Sequence, residues 1–327
     1  MVKEHSFFEA INQLNILIIG DVMIDRYLSG SVDRISPEAP VPVVAFEREE
    51  NRLGGAANVA LNIRAMGANA FLCSVIGQDE QGKDFLHLLS DLNLDERGLL
   101  VSPHRRTTVK SRVLAAGQQL LRIDREDTHD LLEEESRNLL HKFLEIIDDQ
   151  DIKLIIFQDY NKGVLSIPVI EAVIDAALKR GIPTAVDPKF RNFFAYRRVT
   201  LFKPNLKEVR AQTPWAGPAN LEALNEASRQ IRSRLQNTYT LITLSDKGLY
   251  FDAGDRQEII PTQARSIADV CGAGDSVISI AALGLALGMD MRQIATLANL
   301  AGGQVCERVG VVPVDKQQLI REYAAIT

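Results

Sequence analysis

Short apolar segments alternate along this chain of 327 residues with longer segments in which apolar residues recur every three or four positions. The short segments are continuous runs rich in β-branched residues, which is typical of strands buried on both faces of a parallel sheet. Six such strands are predicted, at residues 14–20, 70–76, 153–158, 182–186, 199–202 and 240–244. The pattern therefore places the chain in the α/β class.

The longer segments between these strands predict amphipathic helices. The clearest cover residues 131–147, 168–180 and 220–235, and Gly181 supplies a stop signal for the second of them. Strands that alternate with helices predict a three-layer α/β/α sandwich with a mainly parallel central sheet. Ligands of such sheets bind beyond the carboxyl ends of the strands, so one cleft is expected to collect the polar residues found there. These residues are Asp25, Asp159, Asp187 and Asn205.

Two stretches, at about residues 28–50 and 98–124, interrupt this alternation. They are richer in proline, serine, threonine and alternating valine than in helical periodicity, which favours antiparallel strands. Two interpretations fit them: a small β unit beside the main sheet, or a pair of ordinary surface hairpins. The chain has no internal repeats, low-complexity tracts or long linkers, so a single domain covering residues 1–327 is predicted.

The strongest candidate for chemistry is the run from Asp269 to Ser276, in which two glycines and a carboxylate precede an apolar, alanine-rich segment at 276–287. If that segment is a buried helix, the amides of residues 272–274 lie at its positive end and can bind an anion. Asp275 would then lie where it could take a proton from an attacking hydroxyl during phosphoryl transfer. The alternative is a glycine-rich turn in which Asp275 is a simple helix-start acid.

A second glycine pair, Gly54 and Gly55, precedes Asn58 and a periodic segment that ends at Gly67. Here too a loop delivers small residues to the start of a predicted helix. Paired glycines let the backbone approach a ligand closely, and the asparagine amide offers both a donor and an acceptor, which suits a hydroxyl-rich molecule. Close packing of a helix on a sheet would favour the same small residues.

Composition narrows the class of protein. The formal charge of −6 and the lack of basic blocks argue against a nucleic-acid-binding surface. Neither observation excludes a local basic pocket. Cys73, Cys271 and Cys306 are too few and too far apart for a disulfide framework or a zinc site, which fits a reducing compartment. The amino terminus lacks an apolar signal-peptide core, and no segment reaches the roughly 20 apolar residues of a membrane span. A cytoplasmic enzyme is predicted, with neither nucleic acid nor membrane as a partner.

The two glycine motifs, GGAAN at 54–58 and DVCGAGDS at 269–276, resemble the two signatures of the ribokinase-like (phosphofructokinase-B) family of sugar and nucleoside kinases. The resemblance covers essentially the whole chain. It implies a ribokinase-type fold that uses ATP and magnesium. It also implies that segments 28–50 and 98–124 form a small β lid over the sugar, which often serves as a dimer surface, so a homodimer through the lid is expected.

Other segments resemble, more narrowly, the kinase domain of the bifunctional heptose enzymes of lipopolysaccharide synthesis. The sharpest match is RISPEAPVPVV at 34–44, and further matches lie at 20–27, 118–124, 159–163, 187–189 and 203–208. They imply ATP-dependent phosphorylation of O1 of D-glycero-β-D-manno-heptose 7-phosphate. Four cations in matching segments are candidates for binding the phosphate of this sugar: Lys110, Arg112, Lys162 and Lys189. Because most lysines and arginines are solvated surface charges, about half of these at most are expected to contact the substrate.

The family resemblance also assigns roles around the sugar and the transferred phosphoryl group. Asp275 is the catalytic base, and the amides that neutralise phosphoryl charge belong to Gly272, Ala273 and Gly274. Asp25 accepts hydrogen bonds from the sugar hydroxyls. The residues expected beside it are Gly54, Gly55 and Asn58.

On the nucleotide side, Asn205 and Glu208 match an Asn-x-x-Glu element that holds magnesium largely through water, and their spacing puts them on one helix face. Taken without the family, the same pair is an ordinary helix start. Ser245, Gly248 and Asn299 match positions that line the ATP groove. A turn cap at Ser245 and a packing role for Asn299 are the alternatives.

One motif departs from the family pattern, because Val270 and Cys271 stand where two threonines commonly precede Gly-Ala-Gly-Asp. Cys271 is either a small packed replacement or a thiol whose pKa is lowered by the helix end. The nucleotidyltransferase signature His-x-Gly-His does not occur in the sequence, so kinase activity alone is expected. The alternatives are a kinase of another sugar or nucleoside, such as fructose, ribose or adenosine, and a catalytically silent sugar-phosphate sensor.

Overall fold

The computed structural model describes residues 4–215 and 217–326. Its strands are β1 (Asn15–Gly20), β2 (Val22–Ile35), β3 (Pro42–Gly55), β4 (Asn69–Gly77), β5 (Leu99–Ser102), β6 (Val109–Ala115), β7 (Gln118–Arg125), β8 (Ile152–Gln158), β9 (Thr184–Asp187), β10 (Leu201–Phe202), β11 (Tyr239–Thr243), β12 (Leu249–Asp252) and β13 (Gln257–Ile260). Its α-helices are α1 (Glu4–Ala10), α2 (Ala56–Ala65), α3 (Glu80–Asp91), α4 (Glu133–Asp149), α5 (Ile167–Arg180), α6 (Leu206–Gln212), α7 (Leu221–Leu235), α8 (Ala273–Ala286), α9 (Met291–Val305) and α10 (Lys316–Ala324).

Nine strands form one sheet in the order β13-β12-β11-β10-β9-β8-β1-β4-β5. Neighbours from β11 to β5 pair in parallel, and β12 pairs antiparallel to β11 and β13. Alternate residues of β1 pack into two hydrophobic cores on opposite faces of the sheet. Ile16 and Ile18 lie in the first core, and Leu17 and Ile19 lie in the second. Helices α2, α8 and α9 contribute to the first core, and α4, α5 and α7 to the second. The predicted three-layer sandwich is therefore confirmed.

All six predicted strands occur, as β1, β4, β8, β9, β10 and β11, and the three helices predicted with them occur as α4, α5 and α7. The local signals behave as expected. Gly181 ends α5 with a left-handed φ of 66°, and the Asn220 side chain caps α7 by accepting the amide of Ala223. The antiparallel strands β12 and β13, at one side of the main sheet, were not predicted, because neither is a continuous run of β-branched residues.

A second sheet has the strand order β3-β2-β6-β7. β2 and β3 pair antiparallel from Val22 and Gly55 to Ile35 and Pro42, and β6 and β7 form another antiparallel pair. This sheet includes the predicted segment 28–50 but only the later part of 98–124. The earlier part of that segment belongs to β5, which pairs with β4 at the edge of the main sheet.

The lid function of this second sheet stays a prediction. The single domain predicted over residues 1–327 stays one as well, and it includes residues 1–3, 216 and 327, which lie outside the described residues.

The strand order reverses between β1 and β8, since the chain proceeds from β1 to β4 on one side and from β8 to β9 on the other. Ligands of open α/β sheets bind in the crevice outside the carboxyl ends of strands at such a switch point. The backbones are very close here: a β-carbon on Gly20 would lie 2.0 Å from the carbonyl oxygen of Gln158. The amide of Asp21 donates to the same carbonyl at 3.1 Å. Glycine at the end of β1 therefore allows the two strand ends to meet.

Candidate active site

Asp275 lies at the switch point, in the first turn of α8, and its side chain is buried. Three side chains donate hydrogen bonds to its carboxylate. Nδ2 of Asn58 donates to Oδ2 at 2.7 Å, whereas Nε2 of Gln158 and the hydroxyl of Tyr160 donate to Oδ1 at 2.9 and 2.7 Å. The carboxylate is thus fixed between α2, the end of β8 and the loop after β8.

Burial raises the pKa of Asp275 to about 6. The hydrogen bonds from Asn58 and Tyr160 oppose this rise because they favour the charged form, and the charge of Lys203 also opposes it. The negative charge of Asp187 acts in the same direction as burial. A carboxylate with this pKa is largely ionised at neutral pH and is basic enough to serve as a general base.

The start of α8 has the geometry predicted for an anion site. Gly272 precedes the helix with a left-handed φ of 79°. The first hydrogen bond of the helix runs from the amide of Ser276 to the carbonyl of Gly272. The amides of Gly274 and Asp275 precede that bond and point beyond the first turn. The amide of Ala273 makes only a long contact, 3.4 Å, with the carbonyl of Val270. The helix end can therefore present backbone donors to an anion.

Asp25, on β2, forms a buried ion pair with Arg112 of the neighbouring strand β6. Gly54, on β3, makes room for this pair, because a β-carbon there would lie 2.1 Å from Oδ2 of Asp25. The guanidinium group also lies 5.4 Å from the ring centroid of Tyr27 and 3.9 Å from Sγ of Cys271. The pair therefore reaches from the second sheet to the loop that leads into α8.

Gly55 allows a second close approach at the end of β3. It has a positive φ of 61°, and a β-carbon there would lie 2.4 Å from the carbonyl oxygen of Asp21. That carbonyl accepts the amide of Ala56, the first residue of α2. The predicted glycine pair thus serves tight packing, and in doing so it places Asn58 on α2 against Asp275.

The Cys271 thiol is half-buried, two residues before the start of α8. Its pKa is raised to about 11, first by burial and then by the adjacent Asp269, whose carboxylate accepts the amide of Cys271 at 3.0 Å. These effects outweigh the helix end, so the thiol is protonated at neutral pH. The geometry favours the packed interpretation of this residue over a reactive thiolate.

The four predicted phosphate-binding cations fall into two groups. Lys110 and Lys162 share one acid: their Nζ atoms lie 3.7 and 2.6 Å from carboxylate oxygens of Glu126. Lys110 also pairs with Asp124 at 3.2 Å and lies two residues from Arg112 on β6. Residues two apart on a strand project from the same face, so these three cations line one wall.

Lys189 belongs to a different wall. Its Nζ lies 2.8 Å from Oε1 of Glu208 and 5.3 Å from the ring centroid of Tyr160. Beside it, Lys203 and Asp187 form a second buried ion pair at 2.9 Å. Burial and the charge of Asp187 raise the pKa of Glu208, although Lys189 opposes this.

Asn205 and Glu208 form a capping box at the start of α6. The amide of Glu208 donates to Oδ1 of Asn205 at 2.9 Å, and the amide of Asn205 donates to Oε2 of Glu208 at 2.8 Å. Since Lys189 contacts the other oxygen of Glu208, direct magnesium binding would require exchange of these partners. Among the described residues, no group of three or more His, Cys, Asp or Glu could hold a metal ion. The pair therefore fits a magnesium ion held through water rather than by direct ligation.

The residues predicted to line the ATP groove lie near the other end of the main sheet. Ser245 begins a single 3-10 turn after β11, next to the strand end that carries Asn205. A β-carbon on Gly248, where φ is 96°, would lie 2.0 Å from the carbonyl oxygen of Ile260. Asn299, on α9, donates to the carbonyl of Pro261 at 2.9 Å. Gly248 and Asn299 thus meet around one segment, 260–262.

Three side chains of this site, those of Gln158, Tyr160 and Asp21, are not among the site residues predicted from the sequence. Gln158 and Tyr160 contact Asp275 directly, and Asp21 accepts the amides of Tyr160, Lys162 and Val164 at 2.8, 3.0 and 3.1 Å. A polar residue at the end of an apolar strand was the available signal for Gln158. Asp159, expected in the cleft, instead accepts the hydroxyl of Tyr196 at 2.7 Å inside the second core.

Within residues 4–215 and 217–326, the chain forms no helix that is both long and apolar enough to cross a membrane.

The chain was compared with known protein families and sequences. A family model described as pfkB family carbohydrate kinase matches residues 13–317. The bifunctional protein HldE of Citrifermentans bemidjiense is 41% identical over 97% of this chain and 65% of that protein. HldE of Geobacter sulfurreducens is 40% identical over 96% of this chain and 64% of its own length. The chain thus spans slightly less than two thirds of the length of these relatives.

Solved structures show the same fold. Phosphofructokinase-2 from Escherichia coli in complex with potassium has a TM-score of 0.80 at 21% identity, covering 96% of this chain and 99% of that chain. Ribokinase from Arabidopsis thaliana complexed with ribose and ATP has a TM-score of 0.72 at 15% identity, covering 94% and 99%. These structural similarities establish a ribokinase-like α/β fold. Together with the family match over residues 13–317, they lead to one conclusion: the chain belongs to the pfkB family of carbohydrate kinases and is an ATP-dependent sugar kinase.

Proposed function

We propose that this protein phosphorylates O1 of D-glycero-β-D-manno-heptose 7-phosphate with ATP, giving the 1,7-bisphosphate used in lipopolysaccharide core synthesis. The observation that carries this substrate assignment is the identity of about 40% with bifunctional HldE proteins along nearly the whole chain. The RISPEAPVPVV segment at 34–44, typical of heptose kinases, supports it. We place the reaction in the cytoplasm, where ATP is available.

Asp275 is the general base of the proposed reaction. It takes the proton of the O1 hydroxyl as O1 attacks the γ-phosphorus of ATP, so that a new O–P bond forms while the bond to the bridging oxygen breaks. ADP leaves with that electron pair. The amides at the start of α8 stabilise the charge that accumulates on the transferred phosphoryl group, because they are fixed before the reaction begins.

On the nucleotide side, Ser245, Gly248 and Asn299 bind ATP in this proposal. Asn205 and Glu208 hold magnesium through water, and the bound ion supplies positive charge to the nucleotide phosphates. Lys189 and Lys203 lie between the magnesium residues and Asp275. They add two positive charges to the nucleotide side of the site. Of the four predicted phosphate-binding cations, Lys189 therefore fits the nucleotide side better than the sugar side.

On the sugar side, Asp25, Asn58 and the Gly54–Gly55 backbone bind hydroxyl groups, and Arg112 orients the Asp25 carboxylate. Lys110 and Lys162 bind the distal phosphate of the sugar. Both lysines pair with the carboxylate of Glu126, and an anionic phosphate can replace that carboxylate between them. The second sheet closes as a lid over this side. Closure excludes water and so limits hydrolysis of ATP.

The substrate assignment is tested by ADP release with ATP and magnesium against heptose 7-phosphate, unphosphorylated heptose, fructose 6-phosphate, fructose, ribose and adenosine. We expect preference for the heptose 7-phosphate. Lys162→Ala should then raise KM for that substrate about 10-fold or more, because it removes a charged hydrogen-bond donor, and should leave KM for unphosphorylated heptose nearly unchanged. Lys83→Ala, which removes an exposed lysine paired with Glu80, is the matched control and should change neither value.

Other outcomes of this panel would contradict the proposal in different ways. Preference for an unphosphorylated sugar would assign the protein to another activity of the same kinase family. Silence across the panel, with folded protein that still binds sugar phosphate, would favour the catalytically silent sensor.

We also propose a homodimer formed through the second sheet. This sheet exposes large apolar side chains, including Ile35, Phe46, Leu121 and Ile123, of which Phe46 is 64% exposed. An apolar surface of this kind marks an interaction site. Sedimentation should give twice the chain mass of 36.2 kDa, and Phe46→Glu should give monomers. Phe190→Glu, at an exposed phenylalanine outside this sheet, should remain dimeric; a monomeric wild type would contradict the proposal.

A further inference from the structure

The two oxygens of the Asp275 carboxylate have different surroundings. Oδ1 accepts two hydrogen bonds, from the Tyr160 hydroxyl and the Gln158 amide, whereas Oδ2 accepts one, from Asn58. An ionised carboxylate oxygen has about two lone-pair positions for hydrogen bonding. Oδ1 is therefore fully used, and Oδ2 keeps one position for a further donor.

Tyr160 is held firmly in the position from which it donates. The amides of Tyr160, Lys162 and Val164 donate to the buried Asp21 carboxylate. Asn161 adopts a left-handed φ of 56°, and a β-carbon on Gly163 would lie 1.9 Å from the carbonyl oxygen of His129. These contacts fix the backbone at Tyr160, and the phenol from there reaches Oδ1 of Asp275 at 2.7 Å.

We propose that Tyr160 is a positioning residue for phosphoryl transfer: with Gln158 it saturates Oδ1 of Asp275 and so leaves Oδ2 as the atom that takes the proton of the sugar hydroxyl. The inference rests on the proposed role of Asp275 as general base. It adds a residue that the sequence motifs did not assign. Asn58, which donates to Oδ2, lies beside Gly272, so this oxygen faces the anion-binding end of α8.

The charges around Asp275 determine how the contact affects protonation. Asp187 is the last residue of β9, Lys203 follows β10, Lys189 lies over the Tyr160 ring, and Asp25 lies on β2. Burial raises the pKa of Tyr160 well above its usual range, so its hydroxyl stays protonated and remains a donor throughout the working pH range. A donor to Oδ1 stabilises the ionised carboxylate and lowers the pKa of Asp275 relative to the same site without it.

Tyr160→Phe removes this donor and keeps the ring. The acid limb of kcat/KM against pH should move upward by about one pH unit in the variant, because one hydrogen bond to the ionised form of Asp275 is lost. The plateau at high pH should change less, since Gln158 and Asn58 still hold the base. A merely structural role for Tyr160 would lower the amount of folded enzyme without moving the acid limb.

Tyr196→Phe is the matched control. It also removes a buried tyrosine hydroxyl that donates to an aspartate at 2.7 Å, but its partner is Asp159 rather than Asp275. Its acid limb should coincide with that of the wild type. An acid limb that stays at the wild-type position in Tyr160→Phe, or that moves equally in Tyr196→Phe, would overturn the proposal.

A ¹³C NMR titration of aspartate carboxyl groups, without sugar or ATP, separates this inference from the proposed function. The Asp275 signal is identified by its loss in Asp275→Asn, and its pKa should be higher in Tyr160→Phe than in the wild type. An unshifted signal, with Asp275→Asn inactive, would overturn the role of Tyr160 alone. An active Asp275→Asn enzyme would overturn the base assignment, and the role of Tyr160 in proton transfer with it.

Discussion

Asp275→Asn is expected to lower kcat about a thousandfold or more, because the amide keeps the size of the side chain but cannot accept the proton of the sugar hydroxyl. ATP binding should remain nearly unchanged, since the amides of α8 and the proposed nucleotide-binding residues are not altered. Steady-state kinetics give kcat, and calorimetric titration with ATP gives the affinity. A variant with near wild-type turnover would remove Asp275 from the role of base.

The same assignment predicts a pH dependence. Asp275 acts only when ionised, and its pKa is raised to about 6, so kcat/KM of the wild type should fall as the pH falls through about 6. The matched control is Asp290→Asn. Asp290 also lies at the start of a long helix, where it caps α9 through the amide of Arg292, and asparagine caps helices equally well. This variant should keep both the rate and the pH profile of the wild type.

Arg112→Gln is expected to have the second largest effect. The guanidinium group pairs with Asp25 where both side chains are buried, and glutamine would leave the carboxylate without its countercharge. Breaking a buried pair by removing one partner costs about 3 kcal/mol or more of the free energy of unfolding. Urea unfolding should show this loss. Since Asp25 is the proposed ligand of the sugar hydroxyls, KM for the sugar should rise strongly while KM for ATP changes little.

The neighbouring strand offers a control for this substitution. Arg122 lies directly opposite Arg112 in the β6–β7 ladder, but its side chain is about half exposed and pairs with Asp124. An exposed ion pair contributes little, so Arg122→Gln should change stability by less than about 0.5 kcal/mol. Equal effects of the two substitutions would show that the Asp25–Arg112 pair has no special role in the sugar site.

The sequence is informative where the signal is local. Continuous apolar runs predict β1 and β8 because both faces of a central strand are buried, and the run around Gly272 predicts a loop that enters a helix. A family resemblance adds the roles of Asp275 and Asp25. Each of these predictions depends on residues that are close together in the chain or on a motif of a few positions.

The contacts that tune the site are not local. Tyr160 meets Asp275 across 115 positions, and Arg112 meets Asp25 across 87, because the strand order brings these segments together. A local pattern also does not show that Lys189 pairs with Glu208, which lies 19 positions further along the chain. It also left the chemistry of Cys271 open, since that depends on burial and on the orientation of Asp269.

The pairing of cations with acids inside the cleft has a consequence for selectivity. Arg112, Lys162, Lys189 and Lys203 each already contact a carboxylate. An incoming anion must therefore exchange with an internal partner instead of neutralising a bare charge, and simple anions such as sulfate gain little from that exchange. A ligand that also supplies hydroxyl groups for Asp25 and Asn58 gains more. The cleft is thus expected to discriminate among anions by shape rather than by charge, and its affinity for substrate should depend only weakly on ionic strength.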